Sequence, residues 1–418
     1  MNIVNNTIYT IEFTSWAYGG EALGRLPDGR LAFVPYALPG ETAHIRIVEE
    51  RRSHVRAELV DVLEPSPERV APRCPHFGEC GGCHYQHLSL PAQLSAKTDI
   101  LRQQLERIGG LSNIPLQPIV PSPRPFCYRN HIEFHLTPQG ELGFHRLRSN
   151  MVFPVQECFL PEPALNAVWP QLDFEAIPGL ERIGLRLGMD DDLQLILESR
   201  DPQPPELLIE ELELSAVHLS PAGALVLAGS EFIYMEVLDR KFQVSAGSFF
   251  QVNTPMAEAL VQHVLATLPS CHPLTPAVTL VDAYCGVGLF SAFLADRVGR
   301  LIGVEASPSA AEDFALNLDS FENVELYEAA VGEVLPRLDL QADVILLDPP
   351  RTGVEPAAMD GLLRLGPPVV VYISCDPATL ARDARRLVSG GYRLRQVTPF
   401  DLFPQTYHIE SVSFWERG

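Results

Sequence analysis

The pattern of hydrophobic and polar positions changes at about residue 248 of this 418-residue chain. Beyond that point, short apolar runs rich in β-branched residues alternate with longer amphipathic segments, which is typical of buried parallel strands separated by helices. The alternation predicts a doubly wound, Rossmann-like α/β domain over residues 246–418, with helices in the intervals between strands. The predicted strands are residues 278–283, 301–305, 323–327, 342–347, 368–373, 392–398 and 409–415.

The first part of the chain has a different pattern. Residues 1–64 alternate short β-rich runs with turns that contain Gly and Pro, a spacing that predicts a small closed barrel. The predicted barrel strands are residues 7–14, 31–35, 41–49 and 56–63. Residues 65–245 are expected to form a central α+β domain, with a helix over 94–108 that ends at Gly109-Gly110 and with strands and hairpins from about residue 123.

The formal net charge of −22 argues against a nucleic-acid partner, because proteins that bind nucleic acids are usually basic. The acidic residues are unevenly distributed, however, and the segment 124–148 is rich in arginine, which can fork onto phosphates and stack on bases. We therefore expect RNA contacts from Arg124, Arg129, Arg146 and Arg148. The alternative is that these arginines pair with the protein's own acidic residues.

The sequence contains no uncharged apolar stretch of the roughly 18 residues that a membrane span needs. Its first residues also lack the basic flank and apolar core of a signal peptide. We therefore expect a cytoplasmic monomer with no membrane partner.

Three of the eight cysteines lie close together in a Gly-rich segment, with the spacing Cys74-x5-Cys80-x2-Cys83. In a cytosolic protein this crowding favours a metal or a cluster over disulfides. A fourth ligand is needed, and Cys158 fits if the fold brings it back to the other three. An iron–sulfur cluster on four cysteines is one interpretation. Zinc with His84 or His87 as a ligand is the other.

The first strand of the α/β domain leads into Tyr284-Cys285-Gly286-Val287-Gly288, a turn whose glycines let a ligand approach the backbone closely. Glu305 ends the next strand, where a carboxylate can hold ribose hydroxyls. Ser291 stands where a nicotinamide-binding turn usually has a third glycine. Asp348-Pro349-Pro350 follows a later buried strand. The combination favours S-adenosylmethionine over a nicotinamide dinucleotide.

Cys375 follows the strand at 368–373 and precedes a helix, whose dipole is expected to lower the pKa of the thiol and make it nucleophilic. The alternative is a buried structural cysteine. Methylation of a pyrimidine ring carbon needs such a nucleophile, because C5 of uracil becomes reactive only after an addition at C6. A base must then remove the C5 proton, and Glu410 is the candidate. The alternative for Glu410 is a solvated strand residue.

Together these features resemble the RNA uracil-5-methyltransferase family, specifically its iron–sulfur members that modify 23S ribosomal RNA. The resemblance covers the whole chain and includes residues 19–25, residues 247–253, the Asp348-Pro-Pro loop and Ser374-Cys375-Asp376-Pro377. It implies a TRAM (OB-like) barrel over 1–64, a central iron–sulfur domain over 65–245 and a methyltransferase domain over 246–418. It also implies that the helix at 94–108 packs on the catalytic domain.

The resemblance further assigns roles to individual residues. Cys375 should be the nucleophile and Glu410 the base. S-adenosylmethionine should contact Gln251, Tyr284, Glu305 and Asp348, and a 4Fe–4S cluster should be held by Cys74, Cys80, Cys83 and Cys158. The implied activity is methyl transfer to C5 of a specific uridine in 23S ribosomal RNA through a covalent adduct between cysteine and uracil C6. Two alternatives stay open, namely tRNA as the substrate and an RNA-binding or assembly factor without catalysis.

Overall fold

The computed structural model describes residues 7–175, 177, 179–206 and 213–418. The N-terminal strands close into the predicted barrel, in the order β1-β2-β3-β5-β4. These strands are β1 (Ile8–Trp16), β2 (Glu21–Arg25), β3 (Leu31–Pro35), β4 (Thr42–Glu50) and β5 (His54–Glu64). The sequence pattern does not predict β2, which is short and contains Gly24. A Cβ at Gly24 would lie 2.7 Å from the carbonyl oxygen of Glu12, so glycine permits the close approach of β1 and β2.

The central region combines one long helix with a mixed sheet of order β12-β11-β10-β9-β6-β7-β8. Its elements are α1 (Leu90–Arg107), β6 (His131–Leu136), β7 (Leu142–His145), β8 (Val152–Pro154), α2 (Pro163–Val168), β9 (Leu180–Leu187), β10 (Leu193–Ser199), β11 (Ser215–Ser220) and β12 (Gly223–Ala228). Buried side chains such as Phe134, Trp169 and Leu197 form its apolar core.

The α/β pattern predicted for the C-terminal region is confirmed. Its elements are the hairpin β13 (Phe232–Val237) and β14 (Arg240–Ser245), then α3 (Thr254–Cys271), β15 (Thr279–Ala283), α4 (Ser291–Leu294), β16 (Arg300–Glu305), α5 (Pro308–Asn317), β17 (Val324–Glu328), α6 (Val331–Val334), β18 (Val344–Leu347), α7 (Pro356–Leu365), β19 (Val369–Ser374), α8 (Pro377–Ser389), β20 (Tyr392–Phe400) and β21 (Glu410–Arg417). The sheet has the order β17-β16-β15-β18-β19-β21-β20, and β21 runs antiparallel to both of its neighbours.

The expectation of a helix in every interval is wrong between β20 and β21, which are joined by the loop 401–409. The hairpin β13-β14 also packs into the core of the C-terminal α/β domain, where Met235 and Phe242 share a buried cluster with Leu280 and Val371. The core of this domain therefore begins before residue 246.

Helix α1 packs on the C-terminal α/β domain. Its start is capped by the Ser89 side chain, which accepts a hydrogen bond from the Ala92 N–H group. Its buried face shares an apolar cluster with α8, and Lys97 on that face is fully buried. Lys97 Nζ lies 2.6 Å from Asp401 Oδ1 and donates to the Phe403 carbonyl oxygen at 2.9 Å. The helix therefore anchors the loop 401–409.

In the part of the chain that the structure describes, no helix has both the length and the apolar character needed to cross a membrane.

Candidate active site

Two antiparallel strands bring the predicted nucleophile and the predicted base together. Strand β19 ends at Ser374, strand β21 begins at Glu410, and Ser374 pairs with Ser411 at that end of the ladder. One further step in the same register places Cys375 beside Glu410. Glu410 is buried and Cys375 is half-buried. The ladder thus places the thiol and the carboxyl group side by side at one edge of the sheet.

The surroundings of Cys375 disfavour its thiolate. Burial is the largest cause that raises the pKa of this thiol to about 12. The carboxyl groups of Glu410 and Asp348 raise the pKa of the thiol further, and the Arg351 guanidinium opposes them. The expectation that the helix dipole lowers this pKa is therefore wrong.

The physical reason lies in the first turn of α8. Its N-cap residue is Asp376 rather than Cys375, and Asp376 Oδ1 accepts hydrogen bonds from the N–H groups of Ala378 and Thr379, both at 2.9 Å. A carboxylate thus takes up the free N–H groups that would otherwise favour a thiolate.

The neighbouring carboxyl groups are also easier to protonate than usual. Burial, reinforced by the charge of Asp348, raises the pKa of Glu410 well above its ordinary value. Burial, reinforced by Asp282, raises the pKa of Asp348 to about 7. In the free protein at neutral pH, Cys375 therefore holds its proton, and burial disfavours the carboxylate form of Glu410. A nucleophile at position 375 must lose this proton before it can attack.

The predicted cofactor residues Tyr284, Glu305 and Asp348 follow or end the adjacent strands β15, β16 and β18, at the carboxyl edge of the sheet. Glu305 Oε2 accepts a hydrogen bond from the Gly286 N–H group at 2.9 Å, which holds the carboxylate over the glycine turn. A Cβ at Gly286 would meet no atom within 4 Å. This open space beside a carboxylate that is held in place fits a polar ligand at this edge.

Gln251, the remaining predicted cofactor residue, lies in the loop between β14 and α3 and is buried. Its carbonyl oxygen accepts a hydrogen bond from Asn130 Nδ2 at 3.0 Å. Asn130 also donates to Thr254 Oγ1 at 3.0 Å, so the central region fixes the backbone at the start of α3.

The fold brings the four predicted cluster cysteines to one place. Cys74, Cys80 and Cys83 precede α1, Cys158 lies between β8 and α2, and all four line one cleft as free thiols. Burial raises the pKa of Cys83 to about 12 and that of Cys158 to about 11, and other thiols of the set add to both shifts. Four converging thiols fit the ligand set of an iron–sulfur cluster.

Within the described residues, however, no group of three or more His, Cys, Asp or Glu side chains is arranged to hold a metal ion. The expected iron–sulfur domain is therefore not established by the structure and stays a prediction. The two histidines of the zinc hypothesis pack on aromatic rings, His84 on Tyr407 with 4.5 Å between centroids and His87 on Phe77 with 5.3 Å.

A cleft of about 1170 Å³ is bounded by the barrel, the central region and the loop 401–409. Despite the net charge of −22, its walls are locally basic. Its charged lining within the described residues consists of Arg56, Arg129, Arg146, Arg148, Arg182, Arg186 and Arg351 against Glu21, Glu133, Glu157 and Glu198. The described lining includes Arg351 and His408 but neither Cys375 nor Glu410. Since Arg351 affects the pKa of both catalytic candidates, the cleft reaches the catalytic centre at this arginine.

The predicted RNA-binding arginines are placed unequally. Arg129, Arg146 and Arg148 line the cleft, whereas Arg124 lies outside its described lining. Arg129 faces the cysteines, and its Nε is buried without a hydrogen-bond partner in the structure.

Ion pairs within the protein engage three of these arginines. Arg146 lies 2.7 Å from Glu79, Arg148 lies 2.5 Å from Glu21, and Arg124 lies 3.9 Å from Glu162. These side chains are partly exposed, so RNA phosphates could compete with their carboxylate partners.

Comparisons with known proteins agree with this site. Residues 223–418 match the family model described as tRNA (Uracil-5-)-methyltransferase, and residues 5–60 match the TRAM domain. The chain is 34% identical to an uncharacterized RNA methyltransferase of Gloeobacter violaceus, over 98% of this chain and 96% of that protein. It is 33% identical to one of Halalkalibacterium halodurans, over 98% and 97% respectively. The chain belongs to the RNA uracil-5-methyltransferase family.

The predicted family is thereby confirmed, and the protein is an S-adenosylmethionine-dependent RNA methyltransferase with an N-terminal TRAM barrel. The alternative of a factor without catalysis is set aside by this membership. A solved structure shares the fold: tRNA (uracil-54, C5)-methyltransferase of Pyrococcus abyssi, in complex with S-adenosyl-L-homocysteine, superposes with a TM-score of 0.70 at 24% identity. That match covers 98% of this chain and 100% of the other.

Sequence reasoning missed several residues of this methyltransferase site. Three aromatic residues line the cleft, namely Tyr18 of the TRAM barrel and Tyr407 and His408 of the loop 401–409. The ring centroids of Tyr18 and Tyr407 are 5.6 Å apart, and those of Tyr407 and His408 are 4.3 Å apart. The signal for Tyr18 was its place beside the Gly19-Gly20 turn. Nothing local in the sequence marks the other two as neighbours of a barrel residue.

Proposed function

We propose that this enzyme makes 5-methyluridine in RNA through a covalent bond between Cys375 and C6 of the target uracil. The observation that carries the proposal is the register of β19 and β21, which brings a thiol and a carboxyl group suited to the two chemical steps side by side. The locally basic cleft that meets Arg351 supports RNA as the substrate.

In the proposed reaction the Cys375 thiolate adds to C6, the C5–C6 double bond opens, and its electron pair makes C5 nucleophilic. S-adenosylmethionine would supply the methyl group to C5 and, as its bond between sulfur and methyl breaks, would leave as S-adenosyl-L-homocysteine. Glu410 then takes the proton from C5, the C5–C6 double bond re-forms, and the thiolate leaves. Because the Cys375 thiol is protonated in the free protein at neutral pH, it must lose its proton before attack, and Arg351 is a nearby cation that favours both the thiolate and the Glu410 carboxylate.

We assign the binding of S-adenosylmethionine to Gln251, Tyr284, Glu305 and Asp348. The place of Tyr284, Glu305 and Asp348 at the carboxyl ends of adjacent strands and the open space at Gly286 support this assignment. The Glu305 carboxylate, held by the Gly286 N–H group, suits ribose hydroxyls.

The proposed substrate is a uridine of 23S ribosomal RNA, as the resemblance to the iron–sulfur members of the family implies. The uridine should be unpaired, because the base must leave its stack to reach a half-buried thiol. Transfer RNA is the second candidate. The name of the matching family model and the tRNA substrate of the Pyrococcus abyssi enzyme favour it.

The test is methyl transfer by the purified enzyme to transcribed 23S fragments and to tRNA, with 5-methyluridine mapped in each product. Product in 23S RNA is expected, and product in tRNA alone would move the assignment to tRNA. The Cys375→Ala variant is expected to lose at least about a thousandfold in turnover while still binding S-adenosyl-L-homocysteine. Near-normal turnover by this variant, or no 5-methyluridine in either RNA with the wild-type enzyme, would contradict the proposal.

We also propose that Cys74, Cys80, Cys83 and Cys158 hold a 4Fe–4S cluster. Their convergence in one cleft and their mutual effect on thiol pKa support this ligand set. Protein purified without oxygen is expected to be brown and to contain iron and sulfide. One zinc and no iron per chain would overturn the assignment.

A further inference from the structure

One side chain of the TRAM barrel reaches the residue next to the nucleophile. Tyr18 lies in the turn between β1 and β2, and its hydroxyl donates a hydrogen bond to Asp376 Oδ2 at 2.6 Å. Asp376 directly follows Cys375 in the chain. A barrel residue is therefore bonded to the residue next to the nucleophile, although the two are 358 positions apart in sequence.

Asp376 uses its two carboxylate oxygens for different partners. Oδ1 caps α8, while Oδ2 takes the Tyr18 hydroxyl. Its backbone N–H group donates to Ser374 Oγ at 3.2 Å, and Ser374 Oγ donates back to the Asp376 carbonyl oxygen at 3.0 Å. Cys375 sits inside this short turn. The orientation of the thiol therefore depends on where Asp376 is held.

The turn that carries Tyr18 is itself fixed. Gly20 has φ +85°, and a Cβ there would lie 3.0 Å from His84 Cβ and 3.4 Å from Tyr407 Cβ. The neighbouring Trp16 ring packs edge-on against Tyr85, with 5.2 Å between centroids. The barrel turn is thus held between residues 84–85, which follow Cys83, and the loop 401–409, and this leaves the Tyr18 ring little freedom.

We propose that Tyr18 is a positioning residue, contributed by the TRAM barrel, that orients the Cys375 turn for attack on the target base. It acts through Asp376 and links the docking of the barrel to the geometry of the nucleophile. The inference rests on the proposed role of Cys375. It gives the barrel a part in catalysis in addition to RNA binding.

The first test compares steady-state methylation by Tyr18→Phe and the wild-type enzyme. The variant keeps the ring and its packing on Tyr407 but loses the donor to Asp376. We expect kcat to fall about tenfold, as for a lost hydrogen bond to a charged group, with KM for RNA unchanged within about twofold. Tyr9→Phe is the matched control, because Tyr9 lies on the same barrel outside the described lining of the cleft. Its kinetics are expected to equal those of the wild type.

The second test needs neither RNA nor cofactor. Iodoacetamide alkylation of Cys375, followed by peptide mapping, reports how readily the thiol reacts. Without the Tyr18 donor, Asp376 presents more negative charge to the thiol, and alkylation at fixed pH is expected to slow about threefold. The charged and titratable groups that act on Cys375 are Glu410, Asp348, Arg351, Asp376 and Tyr18 itself. Since no substrate is present, failure here is separate from failure of the substrate assignment.

A double-variant cycle decides whether Tyr18 acts through Asp376. In the Asp376→Asn background, adding Tyr18→Phe is expected to change kcat by less than about twofold. Three results would overturn the proposal. These are an unchanged kcat and alkylation rate in Tyr18→Phe, a change confined to KM for RNA, and an equally large loss in both backgrounds.

Discussion

Cys375 is expected to be almost unreactive in the free enzyme. Its pKa is raised from 9.0 to about 12, a change that corresponds to about 4 kcal/mol against the thiolate. At pH 8 the thiolate fraction should be about one in ten thousand, compared with about one in ten for an ordinary thiol. Alkylation of Cys375 should therefore be roughly a thousandfold slower than that of glutathione, and it should rise about tenfold for each unit of pH below the pKa of the thiol.

Substitutions of the charged residues around the thiol test this explanation of its low reactivity. Removing a repelling carboxylate with Asp348→Asn is expected to speed alkylation, and removing the opposing cation with Arg351→Gln is expected to slow it. Arg385→Gln is the matched control, because Arg385 lies exposed on α8. The rates are read by mass spectrometry of the Cys375 peptide over a series of pH values. Alkylation as fast as that of glutathione at pH 8, or identical rates in the Arg351 and Arg385 variants, would refute the reasoning.

Three further predictions concern stability and RNA binding. Lys97→Met should destabilise the fold by about 3–5 kcal/mol in urea unfolding, because it leaves Asp401 buried without its cation, and adding Asp401→Leu should recover most of the loss. Burial lowers the pKa of His87 to about 3. Below about pH 6.5 this histidine therefore binds a proton in the unfolded chain but not in the folded protein, and the folded state loses stability as the pH falls. His87→Leu should therefore gain up to about 2 kcal/mol relative to the wild type between pH 6.5 and 5, and parallel pH curves would contradict this. Arg146→Ala and Arg148→Ala should each reduce the salt slope of RNA binding by about one unit, whereas unchanged slopes would mean that these arginines serve only their ion pairs.

The parts of the fold that follow from local pattern could be predicted from the sequence. The buried parallel strands appear as continuous β-branched runs, such as that of Val369–Ser374, because both faces of the sheet are covered. Strand β2 was not predicted, because the need for glycine at position 24 comes from the close approach of a backbone atom that is distant in sequence. The loop 401–409 could not be predicted, because its position depends on the buried Lys97–Asp401 ion pair, which links residues far apart in the chain.

The candidate site also contains residues that could be predicted from the sequence and features that could not. Cys375 and Glu410 could be proposed from chemistry and motif, and their adjacency follows from strand pairing that the sequence does not specify. The pKa of Cys375 could not be inferred from its place before a helix, because Asp376 takes the N-cap position and other carboxyl groups surround the thiol. Tyr18 could not be assigned, since only the docking of the barrel brings it to Asp376.

The central claim is that Cys375 forms a covalent bond with the uracil and that Glu410 releases it. The most direct measurement is mass spectrometry of the Cys375 peptide after Glu410→Gln is incubated with RNA and S-adenosylmethionine. Glutamine is nearly isosteric with glutamate but cannot take up the C5 proton, so attack and methylation should proceed while elimination stalls. The account predicts methylated RNA joined to Cys375 in a complex that survives a denaturing gel. Full turnover without an adduct, or neither methylation nor adduct, would contradict it.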